Sequence, residues 1–414
     1  MGTRRLSPAS FLLAGLLLTP VWFLHSFVMT LRATEGALSV TTIAAALIVY
    51  VVPAAAAWIM TGGTAESVRQ RLAAVCLATV SATMTLAALE LAVRVTGFDP
   101  SSCEVWRRLV GGRPFDHPPP GRPAYVIRPN AVWGHQFSTN DRGYFGPDNT
   151  VHYQANSSGF RGEEFTVRKP EGAFRIALVG DSFGFGEGVN YPDTAARRIE
   201  GLLRSRSPCG VEVYNFSVPG YDSVDEADLI EPTVMAYKPD LVVVWFFLND
   251  AEAAGTIQYL SEDKPAVFFP TARRFSALAR LVGARLDARL FSANLIRDYH
   301  RVYRKDDEHF IRMKASLKRI ADAGNRSGIP VVLFIHPILF KLDESYPFTD
   351  IHREVSDVGR EIGITVFDLF EAFRGRNAQS LWVHPSDQHP NEVAHRIAGD
   401  YAAAKLEPLL PACR

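Results

Sequence analysis

The chain has 414 residues, and its 44 lysines and arginines are balanced by 44 aspartates and glutamates, so the formal net charge is zero. A balanced charge gives no electrostatic footprint for nucleic acid, and we expect no nucleic-acid partner. Apolar residues make up 47% of the sequence, and the first hundred residues contain three long apolar stretches that set them apart from the remainder.

Each of these three stretches is about as long as the twenty residues needed to cross a bilayer. They are Phe11 to Met29, Ala37 to Met60 and Leu72 to Leu89, separated by short polar loops. The sequence therefore predicts a membrane anchor over residues 1–96, with three transmembrane helices that contact membrane lipid. Two other interpretations are a cleaved signal peptide for the first stretch, although no clear cleavage site follows it, and buried helices of a soluble domain.

Basic residues near the apolar stretches predict the orientation of the anchor. Arg4 and Arg5 precede the first stretch, and Arg69 and Arg71 lie in the second loop. By the positive-inside rule both segments are cytoplasmic. The rest of the chain is then expected on the extracytoplasmic or periplasmic side of the cytoplasmic (inner) membrane, held by a multi-pass anchor.

Residues 97–135 are rich in proline, including Pro118 to Pro120. Such a composition favours a stiff spacer between the membrane and a folded domain. Residues 136–414 are enough for one large domain with an insertion.

Beyond the spacer, apolar runs alternate with amphipathic segments. Predicted strands are Arg175 to Val179, Val211 to Asn215, Leu241 to Phe247, Val331 to Ile335 and Thr365 to Leu369. Predicted helices are near Thr194 to Arg204, Val224 to Tyr237, Phe310 to Ala323, Ile351 to Ile362 and Asn391 to Leu406. This alternation predicts an α/β domain in which helices cover both faces of a parallel sheet.

The segment from about 251 to 309 is too long for an ordinary connection and is predicted to be a helical insertion. Leu and Phe interleave there with eight arginines: Arg273, Arg274, Arg280, Arg285, Arg289, Arg297, Arg301 and Arg304. Three interpretations stay open: a lid with a basic face for an anionic glycan, an interfacial helix on anionic lipid, and a solvated helical hairpin.

Four short segments carry residues suited to chemistry. The first three follow the ends of predicted strands, where open α/β sheets bind ligands, and the fourth lies near the C-terminus. They are Gly180-Asp181-Ser182-Phe183, Asn215 to Tyr221, Leu248-Asn249-Asp250 and Pro385 to Asn391.

Together these segments can supply an acyl-transfer site. Ser182 is the candidate nucleophile, His389 its base, and Asp387 the carboxylate that orients the imidazole. The N–H groups of Ser182 and Gly220 and the side-chain amide of Asn249 are the candidate oxyanion hole.

As a set, the four segments resemble the blocks of the SGNH, or GDSL-type, hydrolase family, whose invariant Ser, Gly, Asn and His match Ser182, Gly220, Asn249 and His389 in order. The resemblance covers about residues 150 to 410. It implies a flavodoxin-like, three-layer α/β/α domain whose parallel sheet has the strand order 2-1-3-4-5.

The sequence departs from the family pattern in two places. The family's aspartate usually stands three residues before the histidine, whereas Asp387 is two residues before His389. This spacing puts the role of Asp387 in question. Phe247 stands where the third block usually has glycine, and it either narrows the acyl pocket or packs beneath the sheet.

Several other polar residues in these segments have structural interpretations. Asp181 is expected to organise its turn, His336 to end a strand, and His384 and His395 to pack or cap. No spacing of His, Cys or carboxylates argues for a metal, and no cofactor is expected.

The flavodoxin-like order also predicts a disulfide. Cys209 precedes the second strand, and the last helix should bring Cys413 back to the same end of the sheet. In an oxidising compartment the two thiols are expected to pair.

The function that follows is a membrane-anchored extracytoplasmic serine esterase that acts on an acylated glycan or a small ester, with O-acetyl as the expected acyl group. One alternative is an O-acyltransferase that modifies a cell-surface polysaccharide and receives its acyl group from a separate membrane protein. Another is a catalytically silent glycan-binding scaffold.

Overall fold

The computed structural model describes residues 65–96, 107–117, 123–208, 210–252 and 272–411. The chain divides into two compact units. Of the described residues, 65–96 and 272–291 belong to the first unit, and the others belong to the second. The first two predicted transmembrane stretches lie outside the described residues.

The first unit contains a long apolar helix, α1 (Ala65–Val95), which includes the third predicted transmembrane stretch. Its large apolar side chains are exposed, including Leu77 and Met84 at 68% each. Among the described residues, α1 is the one helix with the length and composition needed to cross a membrane. The membrane anchor of three helices stays a prediction.

Glu90 of α1 caps a second helix of this unit, which begins at Ala277. Its carboxylate accepts hydrogen bonds from the Ser276 hydroxyl at 2.8 Å and from the N–H groups of Ala277 and Leu278 at 2.9 Å. Helix N-termini favour a negative charge because their first N–H groups lack partners within the helix. The predicted insertion thus contains a helix whose start is held by α1.

The second unit begins with short strands in residues predicted to be a spacer. β1 (Arg107–Val110) and β2 (Phe115–Asp116) are followed by β3 (Val126–Ile127), β4 (Val132–Phe137) and β5 (Thr150–Gln154). The order β1-β4-β5 forms one antiparallel sheet, and β2 pairs with β3. Strands therefore cover half of the described part of residues 97–135.

A five-stranded parallel sheet forms the centre of this unit. Its strands are β6 (Ala173–Gly180), β7 (Gly210–Asn215), β8 (Leu241–Phe247), β9 (Val331–His336) and β10 (Thr365–Asp368), in the order β10-β9-β8-β6-β7. This is the expected order 2-1-3-4-5. Every residue of β8 is buried, as its unbroken apolar run predicts for a strand covered on both faces.

Helices connect and cover these strands. They are α2 (Ser182–Phe185), α3 (Ala195–Arg206), α4 (Ser223–Ile230), α6 (Glu308–Ser327), α7 (Thr349–Ile362), α8 (Phe370–Phe373) and α9 (Glu392–Leu406); the helix that begins in the first unit is α5 (Ala277–Val302). α3 packs against α9, and α6 packs against both α4 and α7. Right-handed crossovers that run in opposite directions along the sheet place these two groups on opposite faces.

A small hairpin precedes α9. Its strands are β11 (Trp382–His384) and β12 (Asp387–Pro390), which pair antiparallel. The loop that was expected to carry the base is therefore fixed by backbone pairing. The predicted disulfide falls on Cys209 and Cys413, which lie outside the described residues, and it stays a prediction.

Candidate active site

Ser182 is the first residue of α2, directly after the end of β6. The Asp181 carboxylate accepts a hydrogen bond from the N–H of Phe183 at 2.8 Å and so caps this short helix. Gly180 has no room for a side chain, because an added Cβ would lie 2.9 Å from the carbonyl oxygen of Trp245. The strand end and the cap hold Ser182 at the carboxyl edge of the sheet with 6% of its surface exposed.

The hairpin brings His389 to Ser182. The Nε2 atom of His389 lies 2.8 Å from the Ser182 Oγ, and its Nδ1 lies 2.5 Å from the Asp387 Oδ1. The same carboxylate oxygen accepts the backbone N–H of His389 at 3.0 Å. The two-residue spacing thus lets Asp387 contact both the ring and the backbone of His389, and the shortened spacing does not move the carboxylate away.

Gly220 and Asn249 follow β7 and β8, the two strands that flank β6 in the sheet. The N–H of Val218 donates to the carbonyl of Gly180 at 3.0 Å and ties the first of these loops to the nucleophile strand. Gly220 has a φ of +83°, a conformation that favours glycine. Asn249 lies in a short 3-10 helix, Leu248–Ala251. Each residue predicted for the site therefore lies either just after the carboxyl end of one of three adjacent strands or on the hairpin.

Tyr125 gives a second reason why residue 220 is a glycine. The hydroxyl of Tyr125 donates to the carbonyl of Pro219 at 2.5 Å, and it occupies the space that a Cβ at 220 would need. Tyr125 comes from the residues predicted to be a spacer. A side chain at 220 would have to displace this tyrosine as well as adopt a strained backbone.

A model of the GDSL-like Lipase/Acylhydrolase family matches residues 178–397, which is more than half of the chain. The chain belongs to this family. It is therefore an ester hydrolase of the SGNH/GDSL type, as the resemblance of the four segments predicted. No curated protein matches the chain.

Solved structures to which the chain is similar include the following three. Axe2, an acetylxylan esterase from Geobacillus stearothermophilus, is 16% identical, with 58% of this chain and 96% of that chain covered and a TM-score of 0.37. The lipase/acylhydrolase from Enterococcus faecalis is 17% identical, with 58% and 99% covered and a TM-score of 0.37. The psychrotrophic esterase EstA from Pseudoalteromonas sp. is 12% identical, with 57% and 99% covered and a TM-score of 0.34.

In this GDSL-family hydrolase, opposite charges set the protonation of the histidine and its carboxylate. Burial lowers the pKa of His389, but the charges of Asp387 and Glu187 and the hydrogen bond to Asp387 raise it to about 8. Burial also opposes ionisation of Asp387, yet the positive charges of Arg107 and His389 hold its pKa well below the usual value. Asp387 is thus a carboxylate at neutral pH, as the orienting role requires.

Two charged residues beside His389 were not expected from the sequence. Arg107 donates from Nη1 to the Asp387 Oδ2 at 2.8 Å and to the Glu187 Oε1 at 2.5 Å. Glu187 lies outside the four segments that carry the candidate site residues. The signal available was a charged side chain between Gly186 and Gly188, directly after the nucleophile helix.

Buried carboxyl groups also lie behind the nucleophile turn. Glu226 is fully buried, neither of its oxygens has a hydrogen-bond partner among the described residues, and burial holds its pKa well above the usual value. Burial and the charge of Glu226 likewise raise the pKa of Asp250. Burial raises the pKa of Asp181 to about 6, although hydrogen bonds from Phe183 and Asn249 lower it. Burial therefore favours the neutral acid form of Glu226 and of Asp250.

Phe247, which replaces the usual glycine of the third block, packs beneath the site. Its ring stacks on Phe183 with centroids 3.7 Å apart, and 2% of its surface is exposed. Phe183 in turn lies against the ring of His389, with centroids 5.3 Å apart. The aromatic pair therefore packs beneath the ring of His389.

The three other histidines singled out in the sequence have structural partners. The Nδ1 of His336 lies 2.8 Å from the carbonyl of Pro337, and the Nδ1 of His395 accepts the N–H of Ala195 at 3.3 Å. Burial lowers the pKa of each to about 3. The ring of His384 lies between the hydroxyls of Thr139 and Ser386, at 3.0 and 2.7 Å.

Proposed function

We propose that this hydrolase removes a short acyl group, acetyl above all, from a glycan by a Ser182, His389 and Asp387 mechanism. The observation that carries the proposal is the continuous chain of contacts from the Ser182 Oγ through both ring nitrogens of His389 to the Asp387 carboxylate. In this geometry the imidazole can accept the hydroxyl proton while the carboxylate stabilises the imidazolium that forms.

In the first half-reaction the Ser182 Oγ attacks the ester carbonyl carbon, and its proton passes to the Nε2 of His389. The new C–O bond gives a tetrahedral oxyanion that the N–H groups of Ser182 and Gly220 and the amide of Asn249 stabilise. Collapse breaks the bond to the alcohol, which leaves with the proton from His389. Water then attacks the acyl-enzyme with His389 as base, and the free acid leaves as Ser182 is restored.

The surroundings of Ser182 favour a short acyl group. The side chain is 6% exposed, and the hydroxyl of Tyr125 lies over Gly220. Phe183 and Phe247 fill the floor. Among the described residues, these aromatic side chains take up space beside Ser182 and Gly220, which favours a short acyl chain.

A cavity next to the catalytic hairpin supports a hydroxyl-rich alcohol. It has a volume of about 260 Å³, and Asp141, Arg142, Gln379 and Trp382 contribute to its lining. Arg142 is held by the Glu392 carboxylate at 2.7 Å, and the Trp382 Nε1 donates to the carbonyl of Leu339 at 2.7 Å. Fixed polar groups beside an aromatic ring match the mixed polar and apolar surface of a sugar.

The proposal predicts release of acid from short esters. Full-length protein in detergent micelles is incubated with acetylated xylo-oligosaccharides and with nitrophenyl esters of two to eight carbons, and free acid and acylated sugar are both measured. We expect acetate release, with kcat/KM at least about tenfold lower for the eight-carbon ester because its chain does not fit beside Ser182. Transfer to added sugar would support the acyltransferase instead, and a preference for the longest ester would point to a lipid substrate.

We further propose that the hydrolase acts outside the cytoplasm, anchored by its N-terminal helices. The charge pattern of the first loops and the exposed apolar surface of α1 support this location. Lipid is then a partner of the anchor, and the acylated glycan lies on the extracytoplasmic side.

Reporter fusions test this topology. A fusion after Gly97 is expected to be active only with an extracytoplasmic reporter, and a fusion within residues 62–71 only with a cytoplasmic one. The physical reason is the cost of translocating the arginines of the second loop. Cytoplasmic activity of the fusion after Gly97 would contradict the location and leave the ester chemistry untouched.

A further inference from the structure

His389 is in contact with a second carboxylate. The Oε2 of Glu187 lies 3.8 Å from the His389 Nε2, the nitrogen that faces Ser182. The side chains of Glu187 and Asp387 are 6% and 3% exposed, and Arg107 bridges the two carboxylates at 12% exposure. His389 thus has a carboxylate near each ring nitrogen, and an arginine joins the two carboxylates. Acyl transfer requires only three residues, so this arrangement contains two more charged groups than the reaction needs.

We propose that Glu187 and Arg107 are positioning residues of this hydrolase: Glu187 stabilises the charged form of His389 from the Nε2 side, and Arg107 keeps Glu187 and Asp387 ionised and in place. This inference rests on the proposed role of His389 as the general base. It adds two residues from elsewhere in the chain to the machinery around the nucleophile.

The turn after α2 fixes Glu187 relative to Ser182. The N–H of Glu187 donates to the carbonyl of Ser182 at 3.0 Å. The glycines on either side have φ values of +82° and +85°, and a Cβ would collide with Thr194 at Gly186 and with Val383 at Gly188. The backbone is therefore specialised to place one charged side chain beside the nucleophile, which a mere connection to the next element would not require.

Arg107 supplies the positive charge that this arrangement needs. Two buried carboxylates near each other do not both stay ionised without a nearby cation. Burial opposes ionisation of Glu187, but the charges of Arg107 and His389 keep its pKa below the usual value. Burial lowers the pKa of His135 to about 4, so at neutral pH His135 is uncharged and Arg107 is the permanent cation.

The charge balance at His389 has contributions from several elements. The titratable and charged groups that act on it, or on which it acts, are Asp387 on β12, Glu187 after α2, Arg107 on β1, His135 on β4, Asp181 before α2 and His395 on α9. Asp387 and Glu187 raise the pKa of His389, and Arg107 lowers it. Removing the charge of Glu187 should therefore lower the pKa of His389.

The test measures that pKa directly in the full-length protein in detergent micelles, with 13C-labelled histidine and NMR. The His389 signal is identified by its loss in H389N. In E187Q the pKa is expected to fall from about 8 by roughly one pH unit, the size of shift that a charge within 4–6 Å produces. In R107M the titration of Glu187, followed with 13C-labelled glutamate, is expected to move to higher pH, because the cation that keeps this carboxylate ionised is lost.

The pH dependence of ester hydrolysis gives a second readout. The acid limb of kcat/KM reports the base in the free enzyme, so it should move to lower pH in E187Q because His389 loses its proton more easily. At pH values above the limb, E187Q should be about tenfold slower, since the imidazolium that forms in the transition state is less stabilised. A merely structural glutamate would lower activity at every pH without moving the limb.

Glu200→Gln is the matched control. Glu200 is also a buried glutamate, 5% exposed, paired with Arg197 and Arg204 on α3. Its replacement should leave the His389 titration unchanged. An E187Q protein with wild-type thermal unfolding and an unmoved His389 pKa would overturn the proposal. That NMR result does not depend on turnover, so it is distinguishable from a failure of the proposed ester hydrolysis.

Discussion

Replacing Ser182 with alanine is expected to lower kcat/KM for a short ester by about 10⁴-fold or more. The hydroxyl is the atom that forms the acyl bond, and His389 has no other proton donor in contact with its Nε2 among the described residues. The remaining activity comes from the oxyanion donors alone. Initial rates on nitrophenyl acetate measure the loss.

The matched control is Ser217→Ala. Ser217 is another buried serine beside the nucleophile turn, 1% exposed, whose hydroxyl lies near Gly184, and its loss should change kcat/KM by less than about threefold. An organophosphonate should label wild type on the peptide that contains Ser182 and should not label S182A. Substantial turnover by S182A, or label on a different serine, would remove Ser182 as the nucleophile.

The strands of the parallel sheet could be predicted from the sequence because their signals are local, whereas their order was implied by the family resemblance. β8 was predicted over Leu241 to Phe247, and the structure has the same bounds. The helix predicted over Val224 to Tyr237 instead ends at Ile230, and a 3-10 helix over Val234–Tyr237 follows it. Pattern alone does not separate a continuous helix from a broken one, because both bury residues at similar intervals.

The positions of Ser182 and His389 could also be predicted, since both residues lie in segments that resemble family motifs. Contacts that join distant segments could not. Arg107 and Asp387 are 280 positions apart and meet at 2.8 Å, and nothing in the sequence around Arg107 indicates a partner. The proline content of residues 97–135 predicted a spacer. These prolines flank strands, and the pairing of those strands is set by tertiary structure.

The capping of α5 by Glu90 was missed for the same reason. The eight arginines of the insertion predicted a basic face. Part of their charge is neutralised by nearby aspartates, because Arg273 pairs with Asp287 at 2.6 Å and Arg304 pairs with Asp306 at 2.7 Å. A count of the arginines along the segment therefore overstates the positive electrostatic potential at its surface.

Asp387→Asn is expected to lower kcat/KM by about 10³- to 10⁴-fold, even though the family spacing between this aspartate and the histidine is shortened. The carboxylate accepts both the ring Nδ1–H and the backbone N–H of His389 on one oxygen, at 2.5 and 3.0 Å. An amide at this position can present its NH₂ group to Nδ1, and the imidazole is then held in the tautomer that carries its proton on Nε2, where it cannot accept the proton of Ser182.

The chain offers a close control in a second Asp–His pair. The Asp368 Oδ1 lies 2.9 Å from the Nδ1 of His352, a buried ring whose Nε2 contacts the hydroxyl of Tyr346 at 3.0 Å. Asp368→Asn perturbs a similar contact away from Ser182 and should keep kcat/KM within a few fold of wild type at equal thermal stability. If D387N keeps nearly full turnover while His389→Ala abolishes it, the contact between Asp387 and His389 does not orient the base. The next residue to replace would then be Glu187, the other carboxylate in contact with His389 among the described residues. Its charge alone would then stabilise the imidazolium.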